Sequence, residues 1–359
     1  MRPLFKNADR QQEFNSKGYV LIPFLDRHQV TALLDYYETL NSTHTGDYGF
    51  HVSLDNPDKS VVGSVSEKIK TLTEPAVEKT FDQCKVFTSS YVIKEPGLNN
   101  IVPPHQDWSF TDETQFYSAT VWIPLVDVTI ENGALGVIDG SHHFFDHPRS
   151  SPSPQSQSPL TAHAFTLFPY AKVIEMKAGQ ALVFDNRTIH ASPPNTSEQP
   201  RIAAGIGIVA AEAPLRHYYQ LPNEPEEQLE VYDVTPEFFT TYDNAGLSSL
   251  FDAGEKPTGW LSLGPIKRTV PNLSKEEMEA LVKSVPTNAL QHDLVDRLQH
   301  LYPQHVPKTT PMKQESTPPP SQEPETTEAA EWKDPRSFFE MYTIPNIIAE
   351  IKWRLLGKK

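Results

Sequence analysis

The sequence predicts a mainly β protein with flanking helices, built around a double-stranded β-helix core of the jelly-roll, cupin-like type. Between residues 84 and 213, short runs rich in β-branched and aromatic residues follow one another, separated by turn formers such as EPG, ENG, KAG and PPN. Many short strands divided by turns are typical of an antiparallel sandwich or barrel. No long helical pattern lies between these runs, so parallel βαβ units are not expected.

Length, charge and cysteine content narrow the possible functions. The chain has 359 residues, a net charge of -15 and a single cysteine, Cys84. A domain of about 300 residues buries roughly 75% of its unfolded surface and can hold a deep site. The acidic excess argues against nucleic-acid binding. One thiol cannot form an internal disulfide, which favours a reducing, cytoplasmic location. The first residues show no secretory signal, and no run reaches the roughly 20 apolar residues of a membrane span.

Helical patterns precede the β region. The run GYVLIPFL reads as a strand, and Asp26 with Gln29 forms a capping box that begins a helix. A second helix is predicted around residues 64–79, where Pro75 interrupts it or starts a new turn.

Helical patterns also follow the β region. Ser274 and Glu277 form a second capping box, which begins a helix. In the next helix, one face is predicted to be lined by Leu290, Leu294, Leu298 and Leu301.

These patterns divide the chain into three parts. Residues 1–306 are predicted to form one domain, with the β core at about 84–213 and C-terminal helices at about 274–302. Residues 307–331 are rich in proline, serine, threonine and glutamate, and are predicted to be a disordered linker. Residues 332–359 form an amphipathic segment with a basic end. This tail is predicted to dock on a partner protein or a membrane surface, with packing on the core as the alternative. No oligomeric state is indicated.

The run PPHQDWSF, at residues 103–110, contains a candidate metal site. Residues i and i+2 of a strand point to one face, so His105 and Asp107 can bind one ion. His190 follows the apolar run ALVFDN at a turn and is the candidate third ligand. Two histidines and one carboxylate leave three coordination positions open, as in non-haem iron(II) oxygenases. O2 and a co-substrate need those positions.

Arg201 is the candidate anchor for that co-substrate. It lies eleven residues after His190 and opens the run RIAAGIGIV. A hairpin that turns at PPNTSEQP would return it to the same sheet face. A buried guanidinium binds carboxylates in a bidentate manner, so the combination with iron favours oxidative decarboxylation of a 2-oxo acid.

Together these motifs resemble the phytanoyl-CoA dioxygenase (PhyH-type) family of iron(II)- and 2-oxoglutarate-dependent oxygenases. The resemblance runs from about residue 14 to 213 and rests on GYVLIPFL, PPHQDWSF, VWIPLVDVTIENGALGVIDGSHH and IHASPPNTSEQPRIA. It implies the iron ligands His105, Asp107 and His190, with Arg201 binding 2-oxoglutarate.

The resemblance also implies roles for three further features. Trp122 and Ser192 match positions that line the co-substrate pocket in relatives. Asp107 stands where iron halogenases of the wider group carry a small residue. The implied reaction is therefore hydroxylation or a related oxidation such as desaturation.

The expected function is an oxygenase that uses Fe(II), 2-oxoglutarate and O2 to hydroxylate a small organic or acyl-type substrate, releasing succinate and CO2. The alternative is a catalytically silent jelly-roll that acts as a ligand sensor or interaction scaffold. The full set of ligands and the arginine disfavours it, because a scaffold needs neither.

The substrate itself is not predicted, but the elements that choose it are. Ser150–Pro159 and His217–Trp260 read as lids without regular structure. Trp108 and Phe110 either pack against the substrate or plug the mouth of the barrel. The histidines in the run SHHFFDH, residues 141–147, are interpreted as a solvated loop rather than a second metal site.

Overall fold

The computed structural model describes residues 1–40, 48–225 and 227–301. The strands are β1 (Tyr19–Pro23), β2 (Phe50–Val52), β3 (Cys84–Lys94), β4 (Val102–His105), β5 (Ser118–Pro124), β6 (Gly136–Val137), β7 (Lys172–Val173), β8 (Gln180–Asp185), β9 (His190–Ser192), β10 (Arg201–Ala210), β11 (Leu215–Gln220), β12 (Gln228–Val234) and β13 (Leu261–Lys267). The helices are α1 (Ala8–Lys17), α2 (Arg27–Thr39), α3 (Lys59–Thr80), α4 (Ala164–Leu167), α5 (Pro236–Thr241), α6 (Asn244–Asp252), α7 (Lys275–Lys283) and α8 (His292–Leu301).

The two C-terminal segments defined by sequence lie outside the described residues. These are the predicted linker at 307–331 and the predicted docking tail at 332–359, so both stay predictions. Among the helices of the described part, none combines the length and the apolar character needed to cross a bilayer.

Two antiparallel sheets form the predicted jelly-roll core. The larger sheet has the order β1-β8-β5-β10-β3-β2, and the smaller sheet has the order β4-β9-β6-β7. Side chains from both sheets meet in one inner core, which includes Tyr19, Trp122, Leu182, Phe184 and Ala203 of the larger sheet and Val137 of the smaller one. The strands of such a sandwich alternate their side chains between its inside and its outside.

Strand β8 shows why the central strands have unbroken apolar runs. Leu182 and Phe184 point into the inner core, whereas Ala181 and Val183 pack beneath the helices on the opposite face. Val183 is paired with Val121 of β5, which also faces the helices. A strand that is covered on both faces needs apolar residues at every position.

Helices α1, α2 and α3 cover the outer face of the larger sheet. The predicted capping box at the start of α2 is confirmed, with Asp26 and Gln29 exchanging both bonds. The predicted interruption at Pro75 is wrong, because α3 continues through it to Thr80. Ile69 and Val77, on either side of the proline, are both buried in the outer core, and this packing offsets the missing hydrogen bond.

The segment His217–Trp260 is regular, so the prediction of a long irregular lid is wrong. Strands β11, β12 and β13 form a third sheet in that order, and α5 and α6 follow β12. Tyr219, Tyr232 and Val234 bury one face of this sheet against Phe238 of α5. The alternating pattern in LRHYYQ and QLEVYDV is the signal that sequence reasoning missed.

The C-terminal helices agree with prediction except at one residue. The capping box of Ser274 and Glu277 begins α7. Leu294 is buried, but Leu290 precedes α8 and is 47% exposed. The chain before α8 is held by Asn288, whose side chain bonds the backbone of Asp139, so the helix cannot begin early enough to include Leu290.

Candidate metal centre and co-substrate pocket

The pairing of β4 with β9 brings the two candidate histidine ligands together. His105 ends β4, His190 begins β9, and they are direct partners across the antiparallel pair. Their ring centroids lie 4.2 Å apart. Strand β4 is at the edge of the smaller sheet, where the adjacent Pro103 and Pro104 are tolerated because an edge residue can lack an N–H donor.

Asp107 completes the cluster from the loop after β4. Its backbone N–H donates to the carbonyl oxygen of Asn186 at 3.1 Å, which turns the loop back towards β9. Its Oδ1 lies 3.7 Å from Nε2 of His190. One ligand atom from each of the three residues falls within 4.8 Å of the others. The structure therefore brings the three predicted residues together, as one divalent ion requires.

Both imidazoles are oriented by the backbone. Nδ1 of His105 lies 2.8 Å from the carbonyl oxygen of Pro103, and Nδ1 of His190 lies 3.0 Å from that of Thr188. A carbonyl oxygen only accepts, so each Nδ1 carries the proton. Each Nε2 is left with a lone pair, which is the arrangement that supports metal binding.

The Asp107 carboxylate is also oriented, by two residues that sequence reasoning missed. Its Oδ2 accepts hydrogen bonds from Oγ1 of Thr120 and Nδ2 of Asn186, both at 2.9 Å. Ser118 donates to Oδ1 of Asn186 and fixes that amide. Oδ1 of Asp107 is left for an ion. No local spacing relates Thr120 or Asn186 to Asp107, so only the tertiary fold reveals them.

The charge states of the cluster suit metal binding. Burial and the neighbouring His190 lower the pKa of His105 to about 4, so its imidazole is neutral at pH 7. Burial would raise the pKa of Asp107, but the two histidines and the hydrogen bonds from Asn186 and Thr120 outweigh it and lower the pKa. A neutral imidazole and an ionised carboxylate are the forms that bind a metal.

Arg201 lies inside the core with unused hydrogen-bond donors. Its side chain is fully buried, and Nη1 donates to the carbonyl oxygen of Gly133 at 2.8 Å. Within the described part of the chain, Nε and Nη2 of Arg201 have no hydrogen-bond partner, and neither does Nε1 of Trp122, over whose ring the guanidinium lies. Buried donors without an acceptor are costly. Three such donors in one place fit a carboxylate ligand.

Arg201 reaches this position by a route other than the predicted hairpin. Strand β9 belongs to the smaller sheet and β10 to the larger sheet, so the chain crosses between sheets at residues 193–200. The hairpin prediction is wrong because His190 pairs with β4 and β6 instead. Ala203, two residues after Arg201, faces the inner core, so Arg201 points to the same interior.

Lys94 is a second buried cation that sequence reasoning missed. It is the direct partner of Arg201 in the pairing of β3 with β10 and is fully buried. Its Nζ donates to Oγ of Ser192 and, at 2.6 Å, to the carbonyl oxygen of Pro193. Burial and the adjacent Arg201 lower the pKa of Lys94 well below its usual value. A lysine at the end of an apolar strand normally reads as a surface residue.

A cavity of about 340 Å³ extends from the metal-ligand cluster. Trp108, Phe110, Phe239 and Tyr242 supply aromatic walls, and hydroxyl groups come from the predicted lid at Ser150–Pro159. Phe110 also packs on Phe87, with ring centroids 4.8 Å apart. Trp108 and Phe110 thus line the cavity, and contact with a substrate stays a prediction.

The loop at residues 141–147 is solvated only in part, with His143 exposed, which corrects the interpretation from sequence for the other two histidines. His142 and His147 are buried, and the ring nitrogens of His142 and His143 each approach the carbonyl oxygen of Asn15. The loop anchors α1 to the sheet. His147 lines the cavity, but none of the three joins a group of metal ligands in the described part of the chain. The GSH motif at residues 140–142 forms a buried turn. Its burial could not be predicted from the sequence.

The class of protein follows from these observations: a jelly-roll that brings His105, Asp107 and His190 together as potential metal ligands and buries Arg201 and Lys94 in its interior. The sequence profile of the phytanoyl-CoA dioxygenase (PhyH) family matches residues 14–203, more than half of the chain. The chain therefore belongs to this family.

Individual relatives agree with that placement. A phytanoyl-CoA dioxygenase of Arabidopsis thaliana is 32% identical over 141 residues, which are 35% of this chain and 45% of that protein. The chain thus spans about half the length of the curated relatives it matches first. A probable alpha-ketoglutarate-dependent hypophosphite dioxygenase of Stutzerimonas stutzeri is 25% identical over 238 residues, 57% of this chain and 79% of that protein.

Among solved structures, the non-heme alpha-ketoglutarate-dependent epimerase SnoN from nogalamycin biosynthesis is similar at a TM-score of 0.40. The two are 19% identical, and the match covers 57% of this chain and 80% of that one.

Proposed function

We propose that the protein is an iron(II)- and 2-oxoglutarate-dependent oxygenase that hydroxylates a small organic or acyl-type substrate and releases succinate and CO2. The observation that carries the proposal is a cluster of three potential metal ligands near the buried Arg201, whose Nε and Nη2 have no hydrogen-bond partner among the described residues. No salt bridge joins Lys94 or Arg201 to a carboxylate within the described part of the chain. A dianionic co-substrate that also binds the metal satisfies both features.

The three ligand residues would hold the ion on one side and leave the opposite side open. His105 and His190 present Nε2, and Asp107 presents Oδ1, as their hydrogen bonds dictate. Bound iron(II) supplies O2 activation coupled to oxidative decarboxylation of 2-oxoglutarate. Asp107 leaves no vacant ligand position for a halide, so oxygen insertion or desaturation is favoured over halogenation.

Arg201 and Lys94 would bind the carboxylate of 2-oxoglutarate that does not contact the metal. Arg201 offers Nε and Nη2, which form the fork that matches a carboxylate. Trp122 offers Nε1 from beneath the guanidinium. Ser192 accepts from Lys94 and so orients its ammonium group. The role that the family resemblance gave to Trp122 and Ser192 thus has a physical basis in this pocket.

The cavity favours an organic substrate with an apolar part. Its aromatic wall at Trp108, Phe110 and Phe239 stabilises apolar surface, and its size far exceeds a small inorganic anion such as hypophosphite. Ser150 and Ser156 also line the cavity, where their hydroxyl groups are hydrogen-bonded to each other.

An isotope experiment tests this function and separates it from a silent scaffold. Cell extract is incubated with the protein, iron(II), 2-oxoglutarate and ¹⁸O2, and is then searched by mass spectrometry. The proposal predicts one labelled atom in succinate and one in a hydroxylated product. A scaffold or sensor would give neither product, whatever it binds.

A further inference from the structure

Arg149 connects the loop of a proposed metal ligand to the segment that lines the cavity. It immediately precedes the Ser150–Pro159 segment, and its side chain is only 9% exposed. Nε donates to the backbone carbonyl oxygen of Asp107 at 2.5 Å. Nη2 pairs with Oε1 of Glu113 at 2.6 Å. One planar group therefore spans two points of the loop that follows β4.

The arrangement around Arg149 is rigid. The backbone N–H of Arg149 donates to Oγ of Ser109, and the N–H of Ser109 donates to the carbonyl oxygen of Arg149. Oγ of Ser109 donates to the other carboxylate oxygen of Glu113 at 2.8 Å. The ion pair is nearly buried on both sides, at 9% and 11% exposure. A buried ion pair in which both carboxylate oxygens already accept a hydrogen bond tolerates little change of geometry.

Every polar group of Asp107 except Oδ1 is then held by a hydrogen bond. The N–H is bonded to Asn186, Oδ2 accepts from Thr120 and Asn186, and the carbonyl oxygen accepts from Arg149. Asn186 and Thr120 belong to the sheet and its turn. Arg149 is the contact that comes from the cavity-lining segment.

The segment after Arg149 is fastened to the third sheet. The N–H of Ser151 donates to the carbonyl oxygen of Tyr218, and the N–H of Gln220 donates to that of Ser151. Beyond this anchor, Ser153 and Ser156 line the cavity. The path from cavity wall to metal ligand is therefore short and continuous.

From these contacts we infer that Arg149 is a positioning residue that sets the orientation of Asp107 towards the metal. The inference rests on the proposed function, because it assumes that Asp107 binds the ion. Residues that orient ligands in this way commonly change metal affinity by about 10–100-fold when they are replaced.

Arg149→Lys is the direct test. Lysine keeps the charge but cannot bond the Asp107 carbonyl oxygen and Glu113 in two fixed directions. We expect Co(II) to bind about tenfold more weakly or worse, with an altered visible absorption spectrum of the bound Co(II). The matched control is Arg216→Lys, since Arg216 on β11 pairs with Asp233 on β12 and does not line the cavity. This control should keep the Co(II) affinity and spectrum of the parent.

The outcomes separate the two claims. If Arg149→Lys binds Co(II) with the parent's affinity and spectrum, Arg149 supports only the fold and the inference is overturned. If Arg149→Lys does not fold, Glu113→Gln takes its place, since it removes the charge that orients Arg149. The same spectral change, at smaller loss of affinity, is then expected, and a parent-like spectrum overturns the inference. Failure of the proposed function looks different, because then His190→Ala would bind Co(II) as tightly as the parent.

Discussion

Lys94 and Arg201 lie directly opposite each other on β3 and β10, and both side chains are fully buried. Two cations in one dry interior repel each other and lose their hydration. Burial alone lowers the pKa of Arg201 to about 9, and no acidic group among the described residues opposes that shift. Such a pair is stabilised by an anion between the sheets, which is the role proposed for 2-oxoglutarate.

Replacing Arg201 with alanine is expected to weaken 2-oxoglutarate binding by about 2–5 kcal/mol, because a buried carboxylate loses its charged partner. Calorimetric titration in the presence of Ni(II) measures this without turnover. Metal binding should be unchanged, because Arg201 does not contact the three ligand residues. Arg216→Ala is the control on an arginine outside the pocket. An unchanged affinity for 2-oxoglutarate in Arg201→Ala would remove Arg201 from the co-substrate site.

Lys94→Met is expected to lower the same affinity by about 1.5–3 kcal/mol, the usual contribution of a hydrogen bond to a charged group. The rise in melting temperature on adding saturating 2-oxoglutarate should shrink accordingly. Lys85→Met on the same strand is the control, since Lys85 bonds the carbonyl oxygen of Ala213 outside the cavity. Equal ligand-induced shifts in the parent and Lys94→Met would contradict a co-substrate role for this lysine.

The stability of the protein is expected to fall as the pH drops below about 6.5. Burial lowers the pKa of His217 to about 3, so the folded state keeps this ring neutral while the unfolded chain protonates it near its ordinary value. A depressed pKa in the folded state means that the unfolded state binds more protons. The stabilisation is therefore complete above pH 6.5 and is lost between pH 6.5 and 3.

His217→Gln isolates this contribution. Glutamine retains a polar partner for Oγ of Ser151, which lies 2.7 Å from Nε2 of His217, but it does not titrate. Urea unfolding at pH 6, 5 and 4 should show a slope that is smaller by up to about 1.4 kcal/mol per pH unit than in the parent. His28→Gln, at an exposed position, is the control. Identical slopes for the parent and His217→Gln would refute the assignment.

The cavity-lining segment is expected to govern substrate choice, together with the part of α5 and α6 that reaches the cavity at Phe239 and Asn244. Replacing residues 152–158 with a short glycine–serine linker leaves Arg149 and Ser151 in place. Oxidation of the substrate found in extract should fall by roughly 10–100-fold, because a misplaced substrate reacts slowly. Succinate release without substrate should persist. Full substrate oxidation in the replaced variant would show that other elements select the substrate.

The sequence predicted those features that depend on local spacing. The two-residue interval from His105 to Asp107 and the turn before His190 picked out the three cluster residues, although Asp107 lies in the loop after β4 and not in the strand that the interval assumed. The prediction of a jelly-roll depends on short strand patterns and turn-forming residues, which are also local signals in the sequence. The resemblance to a family added Arg201, Trp122 and Ser192 as pocket residues. These predictions required no knowledge of which strands pair.

The features that sequence missed depend on contacts between distant parts of the chain. Lys94 bonds Ser192 across 98 residues, and Asn186 bonds Asp107 across 79. The continuation of α3 through Pro75 depends on packing against the sheet, which a proline rule does not include. The third sheet depends on the pairing of β12 with both β11 and β13, and β13 lies beyond the two helices that follow β12.

The most direct test of the account measures succinate formed from 2-oxoglutarate by the purified protein with iron(II) and O2, without added substrate. The parent should form succinate, and formation should stop when the iron is chelated. His190→Ala, which removes one imidazole while the strand pair remains, should lose iron binding and succinate formation. In the extract assay with substrate, Asp107→Ala should form no oxygenated product. Succinate formation by His190→Ala at a rate near that of the parent would contradict the assignment of the metal centre.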